Sequence, residues 1–250
     1  MEQIEQINQI KRIEWSEKLL RDVVEWDVST WRKAVRYWDQ YVDDRLPLPD
    51  GLTMLEIGAS GGGVTLMFSL KGFACACTDK GKDFAKARAL HASYGVAGRV
   101  TYADADALAL PYADASFDVV AFKSVLGAVS RSGHGERAEA AVAEMLRVLK
   151  PGGTLLFAEN LMGTRLHRAL RRRFKRWGVS WNYVTLERMG ALLSGFDEAD
   201  LHSYGYFSAF LRERPLARKA DEFLCRKDPS HRHYMCYGAA RKGERKCGSE

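Results

Sequence analysis

The sequence predicts an α/β protein, a doubly wound, mostly parallel sheet with helices on both faces, preceded by an N-terminal helical arm. Three observations carry that expectation. Short apolar runs alternate with helix-length segments from residue 53 to residue 158, the pattern of strand–helix–strand units in a parallel sheet. One run, Val119-Val120-Ala121-Phe122, has no polar position, as a strand covered on both faces requires. The first run ends in a glycine-dense turn, Glu56-Ile57-Gly58-Ala59-Ser60-Gly61-Gly62-Gly63, which leads into a helix-like segment at 64–70. Such a turn lets a ligand lie against bare backbone, because glycine has no Cβ. The acidic Glu56 at its mouth favours a cationic ligand over a phosphate.

The elements follow in order. Residues 1–45 form the arm. Trp15, Leu19, Leu20, Val23, Val24 and Trp26, then Trp31, Val35, Trp38 and Tyr41, recur at helical spacing, and Ser29-Thr30 breaks the run and caps a second helix. Its four tryptophans dock the arm on the main domain and make it a partial lid. Residues 46–51, Leu-Pro-Leu-Pro-Asp-Gly, are a linker. Strand one is 53–57 and strand two 74–79, followed by a helix at 82–94. Strand three is 99–103 and strand four 117–123. A helix at 136–149 places Ala141, Met145, Leu146 and Leu149 on one side and is stopped by Lys150-Pro151-Gly152-Gly153. Strand five is 154–158. After Asn160 come a basic helix at 164–177, a helix at 185–194, and strands near 197–206 and 233–240. Residues 46–242 thus form one domain, with a cofactor half at 50–160 and acceptor-side elements at 161–242. Residues 243–250 are a flexible tail.

Composition narrows the class. The chain has 250 residues, 46% apolar and 28% charged, and a core of that size needs no disulfide or metal staple. No apolar run approaches the ~20 residues of a membrane span. The polar start, Met1-Glu2-Gln3-Ile4-Glu5, lacks the basic and apolar regions of a secretory signal. Cysteines 75, 77, 225, 236 and 247 are odd in number; Cys75-Ala76-Cys77 is not a zinc spacing, so no metal site is expected. A reducing cytoplasm suits these thiols. The net charge of +6 concentrates in Arg165, His167, Arg168, Arg171, Arg172, Arg173, Lys175 and Arg176, and in Arg241, Lys242, Arg245 and Lys246. Such clusters are solvated helix faces or seats for an anionic partner.

Ligands on open parallel sheets bind beyond the carboxyl ends of the strands. There the chain places Glu56, Asp79 beside Lys80, Asp104-Ala105-Asp106, Lys123-Ser124 and Glu159-Asn160. Asp79 falls 23 residues after Glu56, where a carboxylate accepts from both hydroxyls of a ribose diol. At this point the chain resembles the class I S-adenosylmethionine-dependent methyltransferases, over about residues 50–160. Leu55-Glu56-Ile57-Gly58 with Gly61-Gly62 looks like their first motif and Asp79 like the ribose-binding acid. Asp106-Ala107-Leu108-Ala109-Leu110-Pro111 and Ser116-Phe117-Asp118-Val119-Val120 look like the adenine-side loop and fourth strand. Arg147-Val148-Leu149-Lys150-Pro151-Gly152-Gly153 looks like the turn before strand five.

The resemblance implies a Rossmann-like fold, S-adenosylmethionine as cofactor and S-adenosylhomocysteine as product. It implies that Gly58, Ser60, Gly61 and Gly62 meet the methionine part and Asp79, with Lys80 beside it, the ribose. Asp106 and Ala107 would meet the adenine amino group, and Leu108 the ring, with Lys123 ending the strand beneath. The cofactor carries a sulfonium and an ammonium and no phosphate, so it gains from Glu56 and needs no helix N-terminus for a pyrophosphate. Ser60 stands where the family usually has glycine; either Gly61, Gly62 and Gly63 restore the turn in a shifted position, or Ser60 donates to the cofactor carboxylate. Phe122-Lys123-Ser124-Val125-Leu126-Gly127, Phe157-Ala158-Glu159-Asn160-Leu161, Leu166-His167-Arg168-Ala169-Leu170-Arg171 and Phe174-Lys175-Arg176-Trp177-Gly178 resemble bacterial methyltransferases acting on surface polysaccharides or secondary metabolites.

Rival chemistries fit less well. A nicotinamide dehydrogenase needs glycine at position 60 and a pyrophosphate next to Glu56. Gly58-Ala59-Ser60-Gly61-Gly62 matches a hydrolase nucleophile elbow, yet only helices and a linker precede it. An RNA acceptor would use Phe174, Trp177 and Trp181 for stacking, but no separate RNA-binding module is visible. A catalytically inactive cofactor-binding partner protein is a further alternative. The expected function is methyl transfer to an oxygen or nitrogen of a small molecule or glycan, with the basic cluster holding a phosphate, a nucleotide diphosphate or a carboxylate of the acceptor. A hydroxyl acceptor needs a general base: His134 in the loop after strand four, Glu159 at the end of strand five, or His167 in the basic segment. Asn160, His167, Trp181 and Tyr183 are expected to line the acceptor pocket.

Overall fold

The computed structural model describes residues 12–47, 51–174, 181–206, 215–225 and 232–244. Two helices open it, α1 (Glu17–Val24) and α2 (Val28–Arg45). There follow β1 (Thr53–Ile57), α3 (Gly63–Lys71), β2 (Ala74–Asp79), α4 (Ala85–Ser93), β3 (Val100–Asp104) and β4 (Phe117–Lys123). The short α5 (Leu126–Val129) leads to α6 (Glu136–Val148), β5 (Leu149–Asn160), α7 (Arg165–Phe174), α8 (Leu186–Leu192), β6 (Glu198–Tyr204), α9 (Pro215–Leu224) and β7 (Met235–Arg241). The seven strands lie in the order β3-β2-β1-β4-β5-β7-β6. The first five are parallel, and β7 runs antiparallel to both of its neighbours. After β3 the chain therefore crosses back to β4 on the other side of β1, so that the strand order reverses between β1 and β4, which places the glycine turn after β1 at the switch point.

Side-chain alternation builds a core on each face. Leu55, Ile57, Val120, Phe122, Leu155 and Phe157 point to the face covered by α6, whose Ala138, Ala141, Val142, Met145 and Val148 repeat at helical spacing. Met54, Cys75, Val119, Ala121 and Leu156 point the other way, under α1, α2 and α3. The arm is thus a layer of the core. Leu20, Val23, Val24, Trp31, Val35 and Trp38 are each at most 1% exposed, and each buried side chain of this kind is worth about 1.5–3 kcal/mol of transfer free energy. Lys71 of α3, its side chain fully buried, reaches Asp39 and Asp43 of α2 at 2.7 and 2.5 Å.

The main departures from expectation lie in the arm, at the start of β5, at the start of α4 and after β6. The arm breaks at Glu25 and Asp27, which take left-handed φ values of +67° and +48°; Ser29 and Thr30 lie buried in the first turn of α2. The Lys150–Gly153 stretch does not end in a turn: β5 starts at Leu149 and bulges, so that Phe117 pairs with Leu149 and Val119 with Thr154. Gly152 takes φ +76° there and donates to Lys242 O at 3.0 Å. Helix α4 begins three residues late, at Ala85. Helix α9 is an addition, with proline at its first position, where the missing N–H costs nothing. Residues 1–11, 175–177 of the basic helix, and 245–250 of the tail lie outside the described residues. No helix among the described residues is long and apolar enough to cross a membrane.

Candidate functional site

The turn after β1 alternates left-handed and ordinary residues, with φ +70° at Gly58, +52° at Ser60 and +82° at Gly62. Ser60 itself adopts the conformation that glycine would supply, and the turn is not shifted. The tip of β2 holds it there: Ser60 N–H donates to Asp79 Oδ2 at 2.9 Å, and Ala59 N–H donates to Thr78 O at 2.9 Å. Gly58 and Gly62 are demanded by space as well. A Cβ on Gly58 would stand 2.6 Å from Val125 Cγ2, and one on Gly62 2.8 Å from both Ala87 Cβ and His91 Cε1. His91 is fully buried between Gly62 O and Tyr102 Oη, each at 2.8 Å, and burial holds its pKa below the ordinary value.

Asp79, Lys80, Asp106 and Leu108, expected to meet the adenosine, lie together in the structure. Asp79 Oδ1 accepts from Lys80 N–H at 2.8 Å, and Lys80 Nζ reaches across to Asp106 Oδ2 at 2.5 Å. That hydrogen bond holds the Asp106 carboxyl below its ordinary pKa. Asp106 Oδ1 accepts from Leu108 N–H at 3.1 Å, and Ala107 is buried between them. Two carboxylates and a left-handed turn therefore adjoin at the tips of β1, β2 and β3.

Glu56 and Lys123 are placed differently from expectation. Glu56 is 2% exposed, and its Oε2 accepts from Thr65 N–H at 2.7 Å and Thr65 Oγ1 at 2.5 Å. It ties the first turn of α3 to β1 instead of facing the mouth, and burial pushes its pKa up to about 8. Lys123 turns to the arm: its buried ammonium donates to Val24 O and lies 3.7 Å from the centroid of the Trp26 ring. Burial brings its pKa down to about 8. Beside it Glu25, its side chain only 9% exposed, pairs with Lys86 Nζ at 3.2 Å. A Cβ on Gly61 would overlap Glu25 Oε1, and one on Gly63 would overlap the Val23 carbonyl. The arm therefore roofs the glycine turn.

Where acceptor contacts are expected, Asn160 Nδ2 donates to Ser124 Oγ at 2.6 Å, and Ser124 holds φ +62°. The Trp181 indole packs on Gly127 so closely that a Cβ there would overlap it. Asn182 N–H donates to Gly127 O at 3.2 Å, and Met162 N–H to Val184 O at 2.8 Å; Tyr183 lies half-buried between those ties. Arg131 stands 5.2 Å over the Trp181 ring. Two expected roles fail here. Glu159 is fully buried, with Oε2 accepting from Leu126 N–H at 2.6 Å and Oε1 from Asn160 N–H at 2.8 Å. It caps α5, and burial raises its pKa to about 7, but its oxygens are committed to backbone and not to an acceptor. His167 is 4% exposed; Nδ1 accepts from Thr164 N–H at 3.0 Å, which leaves Nε2 to donate to Tyr206 O at 2.6 Å. It pins the turn before α7. His134 is half-exposed, 3.2 Å from Glu136 Oε1.

Glu25, Thr65 and His91 were not anticipated. For His91 a signal existed, a histidine among small residues on a helix following strand two; for Glu25 there was none, because its partners lie more than thirty residues away. Cavities of about 410 Å³, beside Tyr37, Asp44, Asp200 and Arg241, and about 320 Å³, beside Asp114, Arg147 and Glu244, open where β6 begins and β7 ends. They lie at the opposite end of the strands from the glycine turn and share none of the residues above.

The donor set fits S-adenosylmethionine: acids at two consecutive strand tips suit hydroxyl and amino groups, and the left-handed turn offers bare backbone. Residues 55–157 match the family model described as a methyltransferase domain. The ubiquinone/menaquinone biosynthesis C-methyltransferase UbiE of Shewanella piezotolerans is 28% identical over 184 residues, covering 72% of this chain and 67% of that protein. UbiE of Stutzerimonas stutzeri is 36% identical over 121 residues, 48% of this chain and 41% of that protein. Among solved structures, phosphoethanolamine N-methyltransferase 2 of Haemonchus contortus, in complex with S-adenosylhomocysteine, is similar with TM-score 0.61 and 18% identity over 89% of this chain and 56% of that one. The [4+2]-cyclase SpnF shares the fold too, with TM-score 0.59 and 20% identity over 90% and 94% of the two chains. These structural likenesses carry the fold alone, since one fold hosts several chemistries.

Proposed function

We propose that this chain, a class I S-adenosylmethionine-dependent methyltransferase, acts on an oxygen or nitrogen of a small molecule or glycan that bears a phosphate or carboxylate. One observation carries the reading: the strand tips are roofed from two sides. The turn Val24-Glu25-Trp26 closes on Lys123 and Gly61, and the segment 181–184 closes on Gly127 and Met162. A site enclosed in this way suits a compact acceptor better than a folded RNA. Arg131 over Trp181 supplies a cation at its edge for an anionic group.

When bound, the cofactor supplies a methyl group already activated by its sulfonium. The chain's own work is then to bind, align and keep water out. Asp79 and Asp106 hold the adenosine end, the Gly58–Gly62 backbone faces the methionyl end, and Ser124 with Asn160 presents hydroxyl and amide groups to the acceptor. Of the expected bases, only His134 keeps a half-exposed ring for taking up an acceptor proton. A second reading, transfer to a ring carbon, is favoured by the C-methyltransferase description of the curated relatives. Incubation with methyl-¹³C-labelled cofactor and separate pools of sugar phosphates, phenols, amines, quinols and RNA tests both, since carbon chemical shift separates O-, N- and C-methyl products. Label entering a quinol ring carbon alone overturns the first reading, and label entering RNA alone overturns both.

A further inference from the structure

The acid expected to serve the cofactor's cationic groups is occupied elsewhere, and those expected at the adenosine end stay there. Glu56 Oε2 takes both hydrogen-bonding groups of Thr65, and Asp79 and Asp106 are joined to Ser60 and Lys80 on the adenosine side. The carboxylate that does lie on the glycine turn comes from the arm. Glu25 Oε1 occupies the space that a side chain at position 61 would fill. Gly61 is not left-handed, so the backbone does not demand glycine there; the carboxylate does.

Three features mark Glu25 as a ligand-binding acid. Its side chain is 9% exposed, so its charge is little screened by water. Its side-chain partner among the described residues is Lys86 at 3.2 Å, whose own side chain is 75% exposed and can swing away at little cost. It is also aimed by a left-handed turn, φ +67°, whose flanking Val24 carbonyl and Trp26 ring are both anchored on Lys123; strain of this kind concentrates at functional sites.

We infer that Glu25 receives the ammonium of the cofactor's methionyl group, replacing Lys86 with the ligand cation. The inference rests on the cofactor assignment above. The test compares two ligands by calorimetry: S-adenosylhomocysteine, which has the ammonium, and 5′-methylthioadenosine, which shares the adenosine and thioether but lacks it. Glu25→Gln is expected to weaken S-adenosylhomocysteine by about 10–100-fold, the value of one charge-assisted hydrogen bond, and to leave 5′-methylthioadenosine within about 2-fold. Gly61→Ala displaces the same carboxylate by its Cβ and should discriminate between the ligands in the same way, which covers the case in which Glu25→Gln does not fold. Equal losses for both ligands, or none for either, would make Glu25 a docking tie of the arm and overturn the inference. Wild-type protein binding neither ligand would overturn the cofactor assignment itself.

Discussion

Replacing Gly62 by alanine separates the conformational demand of the glycine turn from its packing demand, because the chain contains its own control. Gly62 and Gly81 are both left-handed, at φ +82° and +62°. Around Gly81 a Cβ meets nothing within 4 Å, whereas at Gly62 it would stand 2.8 Å from Ala87 Cβ and His91 Cε1. A non-glycine residue in this region costs about 1–2 kcal/mol, offset by about 0.4–1 kcal/mol of lost unfolded-state entropy. Gly81→Ala should therefore cost about 1 kcal/mol or less. Gly62→Ala adds overpacking against two fully buried neighbours, about 1–3 kcal/mol, for a total near 2–4 kcal/mol. For a chain of this length that lowers Tm by roughly 5–15 °C. Urea unfolding followed by tryptophan fluorescence gives both free energies. Gly62 also caps α3 and accepts from His91, so its variant should lose S-adenosylhomocysteine affinity while Gly81→Ala keeps it. Free energies for the two variants agreeing within about 0.5 kcal/mol would refute the packing argument.

Asp79→Ala removes both the acid and the clamp on Ser60 N–H, and should weaken S-adenosylhomocysteine by at least about 10-fold in calorimetry. Lys71→Met strips the buried cation from between Asp39 and Asp43, and should cost about 3–5 kcal/mol in denaturant unfolding, with earlier proteolytic nicking of the arm. Burial raises Glu159 from 4.5 to about 7. The folded chain then binds its proton more tightly, so the stability it contributes is full below about pH 4.5 and is lost as pH rises through about 7. Glu159→Gln cannot ionise, so the urea midpoint of wild type should fall relative to that of the variant between pH 5 and pH 7.5. A constant difference would show that Glu159 does not titrate there.

Local pattern made most of the sheet legible. Strands one, two and four have the predicted boundaries because runs such as Val119–Phe122 report burial on both faces. What sequence could not convey was side-chain direction and long-range contact. Glu56 lies where an acid was expected, yet its rotamer turns inward to Thr65, a choice made by α3's first turn. Glu159 and His167 carry titratable groups at plausible positions, but backbone amides and a carbonyl claim them. The β5 bulge was hidden because Lys150-Pro151-Gly152-Gly153 has turn composition; pairing with β4 and the Gly152–Lys242 contact override it.

The arm explains why the glycine turn carries three consecutive glycines when only alternate positions need left-handed freedom. Gly58 and Gly62 serve the turn, Ser60 manages that conformation without being glycine, and Gly61 and Gly63 make room for Glu25 and the Val23 carbonyl. Two of the glycines thus answer to a segment more than thirty residues upstream. The same residues tie the energetics together. The arm is anchored by a buried apolar face and by Lys71, while its turn is held over the site by Lys123 at the tip of β4. A ligand bridging Asp79 to Glu25 would join the sheet to the arm's turn, so binding should stabilise α1 more than it stabilises the sheet, a linkage that hydrogen exchange of α1 amides with and without S-adenosylhomocysteine would measure directly.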